Sequence, residues 1–88
     1  MQVTVSGRVQ GVGYRWHVRD AAIAHGVTGW VRNRRDGSVE AELHGTEDAV
    51  AAVMDAIRRG PAHARVTDVA VTAAPSTPVG GFDILPTA

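Results

Sequence analysis

Residues 7–15 read Gly7-Arg8-Val9-Gln10-Gly11-Val12-Gly13-Tyr14-Arg15, and their types and spacing suit the capture of a phosphate-sized anion. Val3, Val5, Gly7 and Val9 share one parity, the pattern of a half-buried strand. The strand breaks into a loop carrying Gly11 and Gly13, where backbone N–H groups can converge without a Cβ in the way. A helix then opens near Tyr14 and Arg15. Its first turn offers N–H groups with no intrahelical partner and a partial positive charge. A strand–loop–helix corner of this kind is a candidate cradle for phosphate. Arg15 adds a fixed charge and a planar fork that matches phosphate oxygens. The pair Gly11 and Gly13 starts like a dinucleotide fingerprint, but position 16 is Trp, and the chain has no lysine for a P-loop.

The elements that must hold this corner follow from the rest of the chain. Residues 14–25 contain neither Gly nor Pro and end at Gly26, which predicts a helix with Tyr14, Val18, Ala21 and Ala22 facing inward. Residues 27–34 read as a second strand and Asp36-Gly37 as a tight turn. Val39, Ala41 and Leu43 form the apolar parity of a third strand, against Glu40, Glu42 and His44. Thr46 suits an N-cap, and Val50, Val53, Met54 and Ile57 make the apolar stripe of a second helix that Gly60-Pro61 stops. Val66, Val69 and Val71 mark a fourth strand, and their change of parity predicts a bulge or a late strand start. Residues 75–81 read as a loop, and Phe82 and Ile84 as a short fifth strand. The order β-α-β-β-α-β predicts an α+β fold, a ferredoxin-like sandwich with an antiparallel sheet and two helices on one face. With no linker or repeat in 88 residues, a single domain over residues 1–88 is expected.

This topology restricts where chemistry can sit. A right-handed crossover makes the first two strands parallel, so their C-terminal ends share one sheet edge. The glycine loop leaves the first strand there. Asn33 lies near the end of the second, on the parity of Val31 and so on the helix-covered side. With the third strand between them, the two are separated by about 10 Å, two strand spacings. A phosphoryl group and a water would bridge much of that gap.

Composition removes several alternatives. All nine basic residues are arginine, so lysine nucleophiles are excluded, and the absence of cysteine excludes thiolate chemistry and disulfides. The histidines at 17, 25, 44 and 63 lack the spacing of a zinc site. Net charge is zero, and strands one and three carry no aromatics to stack on bases, so nucleic acid is not an expected partner. No basic, apolar leader stands before the first strand, and no apolar run nears the roughly 18 residues of a membrane span. A soluble, cytoplasmic monomer is expected. Trp16 reads as partly packed, Trp30 as lying on the uncovered sheet face, and Arg32, Arg34 and Arg35 as a solvated basic hairpin.

Residues 7–15 resemble the first signature of the acylphosphatases. Gly29-Trp30-Val31-Arg32-Asn33 followed by Asp36-Gly37-Ser38-Val39-Glu40 resembles the second. Gly60-Pro61, Ala64, Val66 and Phe82-Asp83-Ile84 extend the likeness over nearly the whole chain. The resemblance implies hydrolysis of a carboxyl–phosphate mixed anhydride to carboxylate and inorganic phosphate, with no metal, no cofactor and no phosphoenzyme. It implies that Gln10, Gly11, Val12, Gly13, Tyr14 and Arg15 bind the phosphoryl group, and that Arg15 and Asn33 are catalytic, Asn33 orienting the attacking water. Inorganic phosphate or sulfate would be product-like ligands. The sequence departs from the family at Val18, where threonine is frequent, at His25, where leucine is common, and in the tail 85–88. A ligand-binding module without turnover is the other reading that the glycine–arginine loop leaves open.

Overall fold

The computed structural model describes residues 1–74 and 80–88. The alternation read from the sequence forms β1 (Gln2–Arg8), β2 (Thr28–Asn33), β3 (Val39–His44), β4 (Arg65–Thr72) and β5 (Phe82–Ile84), with α1 (Tyr14–Ala24) and α2 (Glu47–Arg59) between them. The sheet order is β4-β1-β3-β2-β5. The first four strands pair antiparallel, as expected, but β5 runs parallel to β2, so the five-stranded sheet is mixed. The cause lies in where the chain re-enters the sheet. Gly29 N–H donates to Gly81 O at 3.0 Å, so β5 starts beside the start of β2 and follows it in the same direction. Most of the loop expected over residues 75–81 lies outside the described residues.

Both helices cover one face. Tyr14, Val18 and Ala22 of α1 and Val50, Val53, Met54 and Ile57 of α2 pack on Val3, Val5, Val31, Val39, Ala41 and Leu43. The expected inner face of α1 is therefore observed, with Ala21 only half-buried. Val18 fills core space, whereas His25 is exposed as the C-cap of α1. Gly26 follows it with φ 69°, Gly26 N–H donates to Ile23 O at 3.3 Å, and Val27 N–H donates to Ala22 O at 2.8 Å. This pair of bonds is a Schellman closure. Thr46 caps α2 by accepting from Ala49 N–H at 3.2 Å. Of the two readings of the parity change in β4, the bulge is the one observed. Ser6 pairs with Asp68 and Gly7 with Val66, which leaves Thr67 as the extra residue.

The uncovered face differs from its sequence reading in one respect. Glu40 and Glu42 are only 5% and 2% exposed, although they lie on the polar parity of β3. Because β3 is flanked by strands on both sides, long side chains from β1 and from the end of β2 lie over Glu40, and His44 of β3 itself meets Glu42. Gln2 Nε2 donates to Glu40, Arg32 contacts it at 2.8 Å, Arg34 at 3.3 Å, and His44 lies 2.8 Å from Glu42. Arg32 in turn stacks 4.8 Å from the Trp30 ring centroid, on the uncovered face where parity placed that tryptophan. Trp16, by contrast, is 55% exposed, and its ring is met by Arg19 rather than by the core. Among the described residues, no helix is long and apolar enough to cross a membrane.

Gly29 fixes the spacing of β2 and β3. It has φ 139°, and a Cβ there would lie 1.8 Å from Glu42 O. Gly29→Ala is expected to cost about 3 kcal/mol or more, since backbone strain and overlap with a main-chain atom act together. A denaturant midpoint measured beside wild type checks this. Gly11→Ala, whose added Cβ meets nothing within 4 Å, should cost only the strain of its left-handed φ, about 1 kcal/mol.

Candidate active site

The loop between β1 and α1 is shaped by two glycines in the left-handed region, Gly11 at φ 74° and Gly13 at φ 76°. A Cβ on either would enter open space, so the demand for glycine is conformational rather than steric. Gly13 is the N-cap of α1, and no side chain caps that end, nor does any acid stand in the first turn. The first helical bond runs from His17 N–H to Gly13 O at 3.1 Å. Among the described residues, the amides of residues 10–16 donate to no turn, loop or cap carbonyl. The corner therefore presents free donors and the positive end of a helix dipole together.

Arg15 stands in the first turn of α1, half-buried, and forms no ion pair among the described residues. Its neighbours fix that turn against α2. Tyr14, 1% exposed, donates through its hydroxyl to Ile57 O at 2.6 Å. Burial pushes the Tyr14 phenol far above its ordinary value, so it remains a donor. His17 Nε2 lies 2.8 Å from Ala56 O. A carbonyl can only accept, so this ring nitrogen carries the proton. Sequence reading placed Tyr14 on the inner face but missed both bonds. The signal available for Tyr14 was general: a buried phenol requires an acceptor.

Asn33 closes β2 opposite Val39. Because β1 and β2 each run antiparallel to β3, they are parallel, and the end of β2 shares a sheet edge with the glycine loop as expected. Asn33 Oδ1 is buried and has no hydrogen-bond partner among the described residues. An orphaned acceptor of this kind costs about 1–3 kcal/mol, and its persistence calls for an explanation. The backbone around it is held firmly. Ala88 N–H donates to Asn33 O at 3.0 Å, and Arg35 N–H donates to Ala88 O at 2.8 Å. The tail 85–88 thus flanks the candidate site, which its departure from the family pattern gave no reason to expect.

The next turn is built around Asp36. Its Oδ1 accepts from Ser38 N–H at 2.9 Å and from Ser38 Oγ at 2.6 Å, and these bonds hold its carboxyl below the usual carboxylate range. Gly37 N–H donates to Arg34 O at 3.1 Å, and Arg34 N–H to Ser38 O at 2.8 Å. The expected solvated basic hairpin is only partly so. Arg32 and Arg34 both reach Glu40, whereas Arg35 is exposed. The side chain of Gln10 also belongs to this turn. Its Nε2 donates to Arg34 O at 2.7 Å and to Ser38 O at 2.8 Å. Of the residues expected to bind phosphate, Gln10 therefore offers only its main chain to the loop.

A groove lined by Leu43, Val50 and Met54 lies at the opposite end of the sheet and includes none of these residues. Among the described residues, no three His, Asp or Glu side chains are grouped closely enough to hold a metal ion.

The acylphosphatase family model matches residues 1–84. A relative named acylphosphatase from Azorhizobium caulinodans is 47% identical over 88 residues, covering 99% of this chain and 95% of its own. Another of that name from Rhodospirillum rubrum is 52% identical over 86 residues, covering 96% and 92%. The crystal structure of acylphosphatase from Bacillus subtilis superposes with a TM-score of 0.87 at 40% identity, covering 96% of this chain and 94% of that one. The matched range spans both halves of the sheet, so the chain belongs to the acylphosphatase family, which hydrolyses acyl phosphates.

Proposed function

We propose that the amides of residues 10–14 and the Arg15 guanidinium bind the phosphoryl group of a small acyl phosphate, and that Asn33 orients the attacking water. The observation that carries this reading is the uncapped helix start, whose loop amides meet no carbonyl partner among the described residues, on the same sheet edge as the strand end that carries Asn33. A carboxamide oxygen can accept one proton of a water and aim its lone pair toward phosphorus. Phosphoryl transfer depends mainly on positioning and on stabilising charge, which the loop donors and Arg15 supply. The leaving carboxylate has a conjugate acid of pKa about 4, so it departs without a general acid. Neither proposed catalytic side chain is a carboxylate or an imidazole that could serve as general base. The water proton passes to a phosphate oxygen of the substrate or to solvent.

No metal ion or cofactor enters this scheme. Inorganic phosphate and sulfate are the proposed product-like ligands. All named residues come from one protomer, so a monomer suffices, and the proposed compartment is the cytoplasm, where labile acyl phosphates arise.

The test is carboxylate release from acetyl phosphate in the presence of a chelator. Turnover is expected to match the chelator-free rate, and its loss would contradict the metal-free scheme. The rate should also show no histidine-like ionisation. A profile that follows such an ionisation and loses it on replacing His17 would return the base role to a side chain.

A further inference from the structure

The carboxamide of Gln10 spans the two halves of the candidate site. It uses its NH2 group on two carbonyls, Arg34 O at 2.7 Å and Ser38 O at 2.8 Å. Arg34 is the residue after Asn33, and Ser38 is the residue before Val39, the cross-strand partner of Asn33. The two bonds therefore grip both strand ends that frame Asn33. Among the described residues, no backbone hydrogen bond joins the loop 10–13 to the turn 34–38, so this side chain is the direct polar link between them.

We infer that Gln10 is a positioning residue, whose amide group sets the separation between the phosphoryl group held by the loop and the water oriented by Asn33. The inference rests on the roles proposed above for the loop and Asn33. Both carbonyls keep a backbone partner when Gln10 is removed, Arg34 O from Gly37 and Ser38 O from Arg34, so the turn itself persists. What is lost is the tie between turn and loop. Phosphate affinity resides in the loop and Arg15 and should change little, whereas in-line attack is sensitive to displacements of about 1 Å.

The experiment is a double-mutant cycle on acetyl phosphate hydrolysis, with inorganic phosphate as competitive inhibitor. Gln10→Met keeps length and removes the donors. It is expected to lower kcat about tenfold while the inhibition constant of phosphate moves less than about threefold. In an Asn33→Ala background, Gln10→Met should lower kcat by no more than about twofold, because Gln10 acts through Asn33. Equal losses of turnover and phosphate affinity, an unchanged kcat, or additive losses in the double variant would overturn the inference. Gln10→Glu guards against misfolding of the methionine variant. Its carboxylate faces two carbonyls, and on protonation it gains one donor, so its rate relative to wild type should rise as pH falls. A ratio that stays flat counts against the inference. If Asn33→Ala alone turned over like wild type, the reading of Asn33 would fail. If Asn33→Ala is impaired but the cycle is additive, only the role of Gln10 fails.

Discussion

Replacing Arg15 with alanine is expected to lower kcat/KM for an acyl phosphate by about 10³-fold and to weaken competition by inorganic phosphate severely. The guanidinium stands in the first turn of α1 with no carboxylate partner among the described residues, so its charge is free for a ligand. Its base is held by Tyr14 and His17, which bond to Ile57 O and Ala56 O at 2.6 and 2.8 Å. The arginine thus projects from a turn anchored to the second helix. Arg15→Lys should recover little, because a point charge cannot reproduce two parallel donors to phosphate oxygens. Steady-state kinetics with phosphate as inhibitor measures both losses. Near-normal turnover in Arg15→Lys would show that charge alone, not the fork, is required.

Asn33→Ala should behave differently. Its kcat is expected to fall about 10²-fold, with the inhibition constant of inorganic phosphate almost unchanged. The residue lies at the end of β2, outside the loop, and contributes a neutral group. It can therefore act on the water without adding to the binding of the anion. Removing a buried acceptor that has no partner should not harm folding, so a melting temperature equal to or above that of wild type is expected. Parallel losses of phosphate affinity and turnover in Asn33→Ala would place its carboxamide on the phosphoryl group instead of on the water.

The parts of the molecule that were legible in the sequence are those fixed by local chemistry. Alternation in β1 and β3, the stripe of Val50, Val53, Met54 and Ile57, and the stop at Gly60 each depend on neighbours along the chain. The bulge was half legible, because a parity change at Val66 and Val69 fits either a bulge or a late strand start, and only the pairing with β1 decides between them. Contacts between distant segments were less accessible. The parallel pairing of β5 depends on how residues after β4 return to the sheet. The burial of Glu40 depends on side chains from β1 and β2 that alternation cannot see. Of the candidate site, the glycine loop and Arg15 were suggested by their types and spacing, whereas the role proposed for Asn33 came from the family resemblance. The bond from Gln10 to the hairpin spans 24 and 28 residues, and no local pattern announces it.

The most direct measurement is a titration of the protein with inorganic phosphate, followed through its backbone and side-chain amide NMR signals. The account predicts saturable shifts concentrated at Gly11, Val12, Gly13, Tyr14 and Arg15, abolished by Arg15→Ala and retained in Asn33→Ala. Saturable shifts confined to another part of the sheet, with the loop amides unmoved, would contradict it.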